Sequence, residues 1–197
     1  MRKQVRSLQL AVALTALLSQ HTNGQILSLG KCPEVAVQPD FNADSYLGLW
    51  YEQEKYPFIF EFGGRCVTAE YGKNSDGTVS VFNRQQNVFT LAENTIRGSA
   101  RIVEPAKLAV KFSIPFEVES PYWVLGTDYK SFAVVYSCNE IGGLFNTKVV
   151  WILTRDRTPP VDVMNQAYTV LDTAKLTRSY LIRTDQKNCN NIKKLLI

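Results

Sequence analysis

Residues 122–154 read YWVLGTDYKSFAVVYSCNEIGGLFNTKVVWILT. Three runs rich in β-branched and aromatic residues, Tyr122–Thr127, Phe132–Cys138 and Lys148–Thr154, are parted by the polar stretches Asp128 to Ser131 and Asn139 to Asn146, the second carrying Gly142-Gly143. Branched and aromatic side chains suit a pleated, half-buried surface, whereas Gly, Asn, Asp and Ser supply the backbone freedom of turns, so these runs are strands. Toward the N-terminus the pattern repeats in Gly48–Tyr56, Cys66–Tyr71, Thr78–Asn87, Leu91–Val103 and Lys107–Ser113. Gly63-Gly64, Asn74-Ser75-Asp76-Gly77, Glu104-Pro105 and Glu119-Ser120-Pro121 mark the turns. No helix-length periodic segment interrupts the eight runs. The expected fold class is all-β, an eight-stranded antiparallel up-and-down β-barrel, in which closure removes exposed edges.

Beyond Thr154 the period changes. Pro159-Pro160 stands where a helix can start, and Val163, Ala167, Val170 and Ala174 recur at helical spacing, predicting one C-terminal α-helix packed outside the barrel. Leu176 to Ile197 then reads as a short strand or extended tail held down by Cys189. At the other end, Arg2, Lys3 and Arg6 precede the apolar run Leu8 to Ser19 and a short polar stretch, the pattern of a secretory signal peptide over residues 1–24. Residues 25–197 are then a single domain, expected to be secreted and extracellular.

Cleavage there removes His21, the only histidine, and three basic residues, so that 19 Lys and Arg face 18 Asp and Glu. Without a block of like charge, nothing points to nucleic acid. Four cysteines, Cys32, Cys66, Cys138 and Cys189, behind a secretion signal imply two disulfides, with three pairings open, and lie too far apart for a zinc cluster. No imidazole, Gly-x-Ser-x-Gly motif or phosphate-cradling glycine loop is left to the mature chain. The expectation is therefore no enzyme, no catalytic residue and no metal site.

Gly48-Leu49-Trp50 opening the first strand, Thr127-Asp128-Tyr129 between the sixth and seventh, and Arg155 after the eighth resemble, in order, the three signature motifs of the lipocalin family. Within it, Gly30-Lys31-Cys32-Pro33, Tyr46 to Glu52, Pro121 to Leu125, Val135 to Cys138 and Thr184 to Cys189 are most similar to the branch of apolipoprotein D and the insect lazarillo and bilin-binding lipocalins. The resemblance implies disulfides Cys32–Cys138 and Cys66–Cys189. It also implies an Arg155 side chain laid across the Trp50 indole at the closed end, a cation–π contact worth about 0.5–2 kcal/mol. Gly48, Trp50, Thr127, Asp128, Tyr129 and Arg155 would thus hold the fold.

If Arg155 points inward, alternation points Leu153 and Trp151 inward too, and Trp151 matches a pocket tryptophan of that branch. The same alternation offers Val67, Ala69 and Tyr71, then Val79, Val81 and Asn83, and Phe132, Val134 and Tyr136. Of these, Trp151, Tyr136, Tyr71, Asn83, Val81 and Phe132 are the candidate ligand-binding residues, with Asn83 and Tyr136 orienting the ligand. The plain alternative is that the aromatics fill the barrel as packing. Strict alternation from Trp50 would also bury Glu52 and Glu54, unless a bulge turns them out, or one carboxylate sits near the mouth or pairs with a basic group.

The resemblance implies an extracellular carrier of a small hydrophobic ligand, a lipid, fatty acid or sterol, with no resident cofactor. A carrier of a bilin or carotenoid pigment and a protein-interaction module with a filled barrel are the alternatives. Tyr56 to Phe62 falls in the first inter-strand loop, where Phe58, Ile59 and Phe60 would form a lid and touch lipid particles or membrane surfaces.

Overall fold

The computed structural model describes residues 26–58, 61–113 and 119–189. The signal peptide expected over residues 1–24, and Ile59 and Phe60, lie outside these. Eight strands build the barrel: β2 (Gly48–Lys55), β3 (Gly64–Lys73), β4 (Val79–Asn87), β5 (Glu93–Glu104), β6 (Lys107–Phe112), β7 (Glu119–Thr127), β8 (Phe132–Ile141) and β9 (Phe145–Thr154). Each runs antiparallel to the next, and β9 closes on β2 through Tyr51↔Thr154 and Lys55↔Trp151. A four-residue helix α1 (Ala43–Tyr46), capped by Asn42, leads into β2 and floors the closed end. The connections β4–β5 and β8–β9, with the described parts of β2–β3, rim the open end. Two short strands join the sheet: β1 (Ile26–Leu29), not drawn from the sequence, pairs with the upper part of β9, and β10 (Ile182–Arg183), within the stretch read as a short strand or extended tail, pairs with β2.

Local breaks in register shape the barrel. A bulge between Glu52 and Glu54 places Glu52 and Lys55 on the same face, opposite the inward pair Leu153 and Trp151, and sends Glu54 to the outside. β2 and β3 pair only through Gly48–Tyr51, and above that point they part. The C-terminal segment fills the split. Thr184 N donates to Gln53 O at 2.9 Å, Cys66 N to Asp185 O at 2.8 Å, and Gln186 Nε2 to the carbonyls of Glu52 and Val67, both at 2.8 Å. Disulfide Cys66–Cys189 pins this strap, and Cys32–Cys138 ties the N-terminal segment to β8.

Helix α2 (Val161–Thr173) lies on the outer face of β7 and β8 with Val163, Ala167 and Leu171 buried. A Cβ at Gly126 would stand 2.7 Å from Val170 Cγ2, so the strand can meet the helix only with glycine there. This packing corrects part of the sequence reading. Because β8 pairs with β9 as Ala133↔Leu153 and Val135↔Trp151, it is Ala133 and Val135 that face inward. Phe132, Val134 and Tyr136 face outward, in one apolar layer with Val163, Ala167 and Leu171 of α2.

Candidate functional site

The signature residues converge on the closed end. Trp50 is fully buried, its Nε1 donating to Tyr46 O at 2.9 Å, and the Arg155 guanidinium lies 3.7 Å from its ring centroid. Arg155 spends its donors on carbonyls: Leu49 at 2.9 Å, Leu47 at 2.8 Å and Tyr129 at 3.1 Å. Burial pulls its pKa below the usual arginine value. Gly48, at φ +97°, brings the chain within reach of Arg155 Nη1. The Thr127-Asp128-Tyr129 turn is self-capped, Asp128 Oδ1 accepting from the backbone N–H of Lys130, Ser131 and Phe132. Desolvation raises the Asp128 carboxyl, but these bonds and Ser131 Oγ outweigh it and hold the carboxyl below its ordinary value.

Above this plug stand three tyrosines. Tyr122 Oη lies 2.8 Å from Tyr46 Oη and 2.7 Å from Tyr71 Oη, and burial raises all three phenols above their ordinary pKa. Beside them Val79, Ala100, Leu108 and Val110 line an apolar void of only ≈ 10 Å³, so the floor is packed. Tyr46 and Tyr122 were not singled out in the sequence. Tyr122 carried a usable signal, since it alternates with the inward Val124.

Higher up, the inner wall opens. Ala69, Asn83, Ile96, Phe112, Tyr122 and Trp151 share the inward face but are only half-buried, whereas Tyr71, Val79, Val81, Ala100, Val110 and Val124 below them are buried. The structure thus brings Trp151, Asn83, Tyr71 and Val81 to one interior, and it does not bring Tyr136 and Phe132 there. Asn83 Oδ1 and Gln85 Oε1 are buried with no hydrogen-bond partner.

At the mouth, the two glutamates find different solutions. Glu54, turned out by the bulge, accepts from Tyr168 Oη of α2 at 2.9 Å. Glu52 stays inside, paired with Lys55 Nζ at 2.9 Å and accepting from Thr184 Oγ1. Glu61 reaches in from the β2–β3 connection. Its Oε2 lies 2.5 Å from Lys55 Nζ, and its Oε1 accepts from Trp151 Nε1 at 3.3 Å. Burial pushes Glu61 up to about 8, with the neighbouring Glu52 charge adding to it and Lys55 opposing. Burial lowers Lys55, but the two glutamates outweigh it and hold the ammonium's pKa above normal. Phe58 turns edge-on to Trp151, with ring centroids 5.8 Å apart. Glu61 and Lys55 gave no sequence signal as site residues, because one lies on a loop and the other faces inward only by virtue of the bulge.

A closed eight-stranded barrel with a plugged floor, an accessible upper wall and an external helix defines a calyx-type binding protein. Residues 47–188 match the model of the Lipocalin / cytosolic fatty-acid binding protein family, and the chain belongs to the lipocalins. It is 43% identical to apolipoprotein D of Bos taurus over 169 residues, covering 84% of this chain and 88% of that one. It is 32% identical to the lazarillo protein of Schistocerca americana, covering 92% and 86%. Among solved structures, insecticyanin from the tobacco hornworm Manduca sexta superposes with a TM-score of 0.74 at 27% identity, covering 82% of this chain and 89% of that one.

Proposed function

We infer that the protein is an apolipoprotein D-like extracellular carrier that takes a lipid, fatty acid or sterol into the upper barrel. The carrying observation is the band of half-buried apolar and aromatic side chains on the inner wall above a packed floor. Apolar burial supplies affinity at about 25 cal/mol per Å², while the few polar atoms of Asn83, Gln85 and the tyrosine hydroxyls set orientation. Both disulfides suit an oxidising compartment. With all four cysteines paired, a pocket thiol is not at hand for chemistry. Titration of fatty acid, sterol and biliverdin against tryptophan fluorescence, beside native mass spectrometry and an absorption spectrum, tests this reading. Saturable quenching by lipid supports it, and a visible band favours a bilin or carotenoid carrier. Neither a bound mass nor quenching would leave a filled barrel acting as a protein-interaction module.

The rim supports a second element of the same reading, contact with a lipid particle or membrane surface. Phe58 is turned inward, but Phe62, Phe89 and Leu91 are exposed at 61%, 77% and 62%. Val88 N donates to Gly63 O at 2.9 Å, joining the β2–β3 and β4–β5 connections into one apolar edge. Phe62→Ser with Phe89→Ser should abolish binding to liposomes; unchanged binding would refute the contact.

A further inference from the structure

Among the described residues, the mouth holds two buried carboxyls on one ammonium. Lys55 Nζ, on a side chain only 5% exposed, serves both Glu52 and Glu61. The two carboxyls are held unequally. Glu52 is part of the barrel wall and is tied to the C-terminal strap by Thr184, whereas Glu61 enters from a connection, where its carboxyl meets that of Glu52 and accepts from Lys55 Nζ and Trp151 Nε1. Those donors face the same interior that the carrier reading gives to the ligand.

On that reading, we propose that Lys55 and Trp151 form a head-group site for a long-chain carboxylic acid, whose carboxyl takes the place of the Glu61 carboxyl on both donors. The incoming carboxylate meets the same two donors that held the Glu61 carboxyl, so both hydrogen bonds are remade and little polar desolvation opposes entry. A neutral head with a single oxygen brings no charge to the Lys55 ammonium and makes only weaker, neutral hydrogen bonds, so it binds with Glu61 still in place. Glu61 therefore acts as a resident competitor that sets selectivity between acids and neutral lipids. Its carboxyl is suited to leaving, because burial beside Glu52 already pushes it up to about 8.

The test uses the oxidised, full-length mature protein at pH 7.4, titrated calorimetrically with hexadecanoic acid and with hexadecanol. Glu61→Ala should raise the ratio of acid to alcohol affinity by about tenfold, the equivalent of one good charge-assisted contact freed for the ligand. Trp151→Phe in the Glu61→Ala protein keeps the ring, removes the donor and should bring the ratio partway back. A ratio that stays level or falls on Glu61→Ala overturns the proposal, as does an acid that no variant binds while the alcohol binds. If neither compound binds any variant, it is the carrier reading that fails, and the proposal with it.

Discussion

The two ends of the barrel interior are built on opposite principles. At the closed end every strong donor has an acceptor: Arg155 is spread over backbone carbonyls, the Trp50 indole reaches Tyr46 O, and the tyrosine hydroxyls serve one another. At the open end two carboxyls share one ammonium, and the side-chain carbonyls of Asn83 and Gln85 have no partner. Buried polar groups are costly when unpaired, so a satisfied cluster stabilises the folded state and an under-satisfied one spends stability on something else. The closed end is a structural plug, and the open end, on the proposed carrier reading, is where binding draws on stored polar capacity.

Substitutions should sort along that divide, and the largest effect belongs to the plug. Trp50→Ala removes a fully buried indole and the platform under Arg155, and should cost about 3–5 kcal/mol in chemical denaturation. A loss below about 1 kcal/mol would mean that the floor collapses around the gap and does not depend on the plug. Next comes the strap. Replacing Cys66 and Cys189 by Ala frees the segment that fills the split between β2 and β3, and should cost about 2–4 kcal/mol. The same variant should also weaken ligand binding, because Thr184 helps to hold Glu52 at the mouth.

How much of this was legible in the sequence follows the same divide. The plug was readable because its residues sit in short local motifs, Gly48-Leu49-Trp50 and Thr127-Asp128-Tyr129, whose roles depend little on long-range register. The eight strands were readable from their turns. The inner face of β8 was not. Ala133 to Cys138 are buried on both sides, inward against the barrel core and outward against α2, so no polar alternation marks a face, and the larger side chains Phe132 and Tyr136 belong to the outside. Only the pairing with β9 sets the phase. Glu52 and Glu54 posed the right question, and two of its answers are used: the bulge turns Glu54 out, and Lys55 pairs Glu52 inside.

A smaller effect appears in the pH dependence of stability. Glu61 titrates near its ordinary value in the unfolded chain and at about 8 in the folded one, so between these values the unfolded chain gives up a proton that the folded one keeps. The contribution of Glu61 is therefore most favourable at low pH and falls as pH rises toward 8, by at most about 1.4 kcal/mol per pH unit. Glu61→Gln should lose that downward slope between pH 5.5 and 8. Parallel profiles for the two proteins would show that Lys55 neutralises both glutamates and would erase the contrast between the ends.

The smallest expected effect has the opposite sign to the plug's. Asn83 Oδ1 is buried without a partner while the chain around it is regular β4, so Asn83→Leu removes an unpaired acceptor while keeping the branching and number of heavy atoms. It should stabilise the ligand-free protein by about 0.5–1 kcal/mol and weaken binding of an alcohol- or sterol-headed ligand by a similar amount. Tyr136→Phe is the control, since Tyr136 Oη is also buried and unpaired but lies on the outer face beneath α2. It should stabilise to a comparable degree and leave ligand affinity alone. If Tyr136→Phe weakened binding as Asn83→Leu does, unpaired polar atoms would report only imperfect packing. If the two diverge as expected, the position of an unpaired atom on the inner or outer face decides whether the energy it costs is available to a ligand.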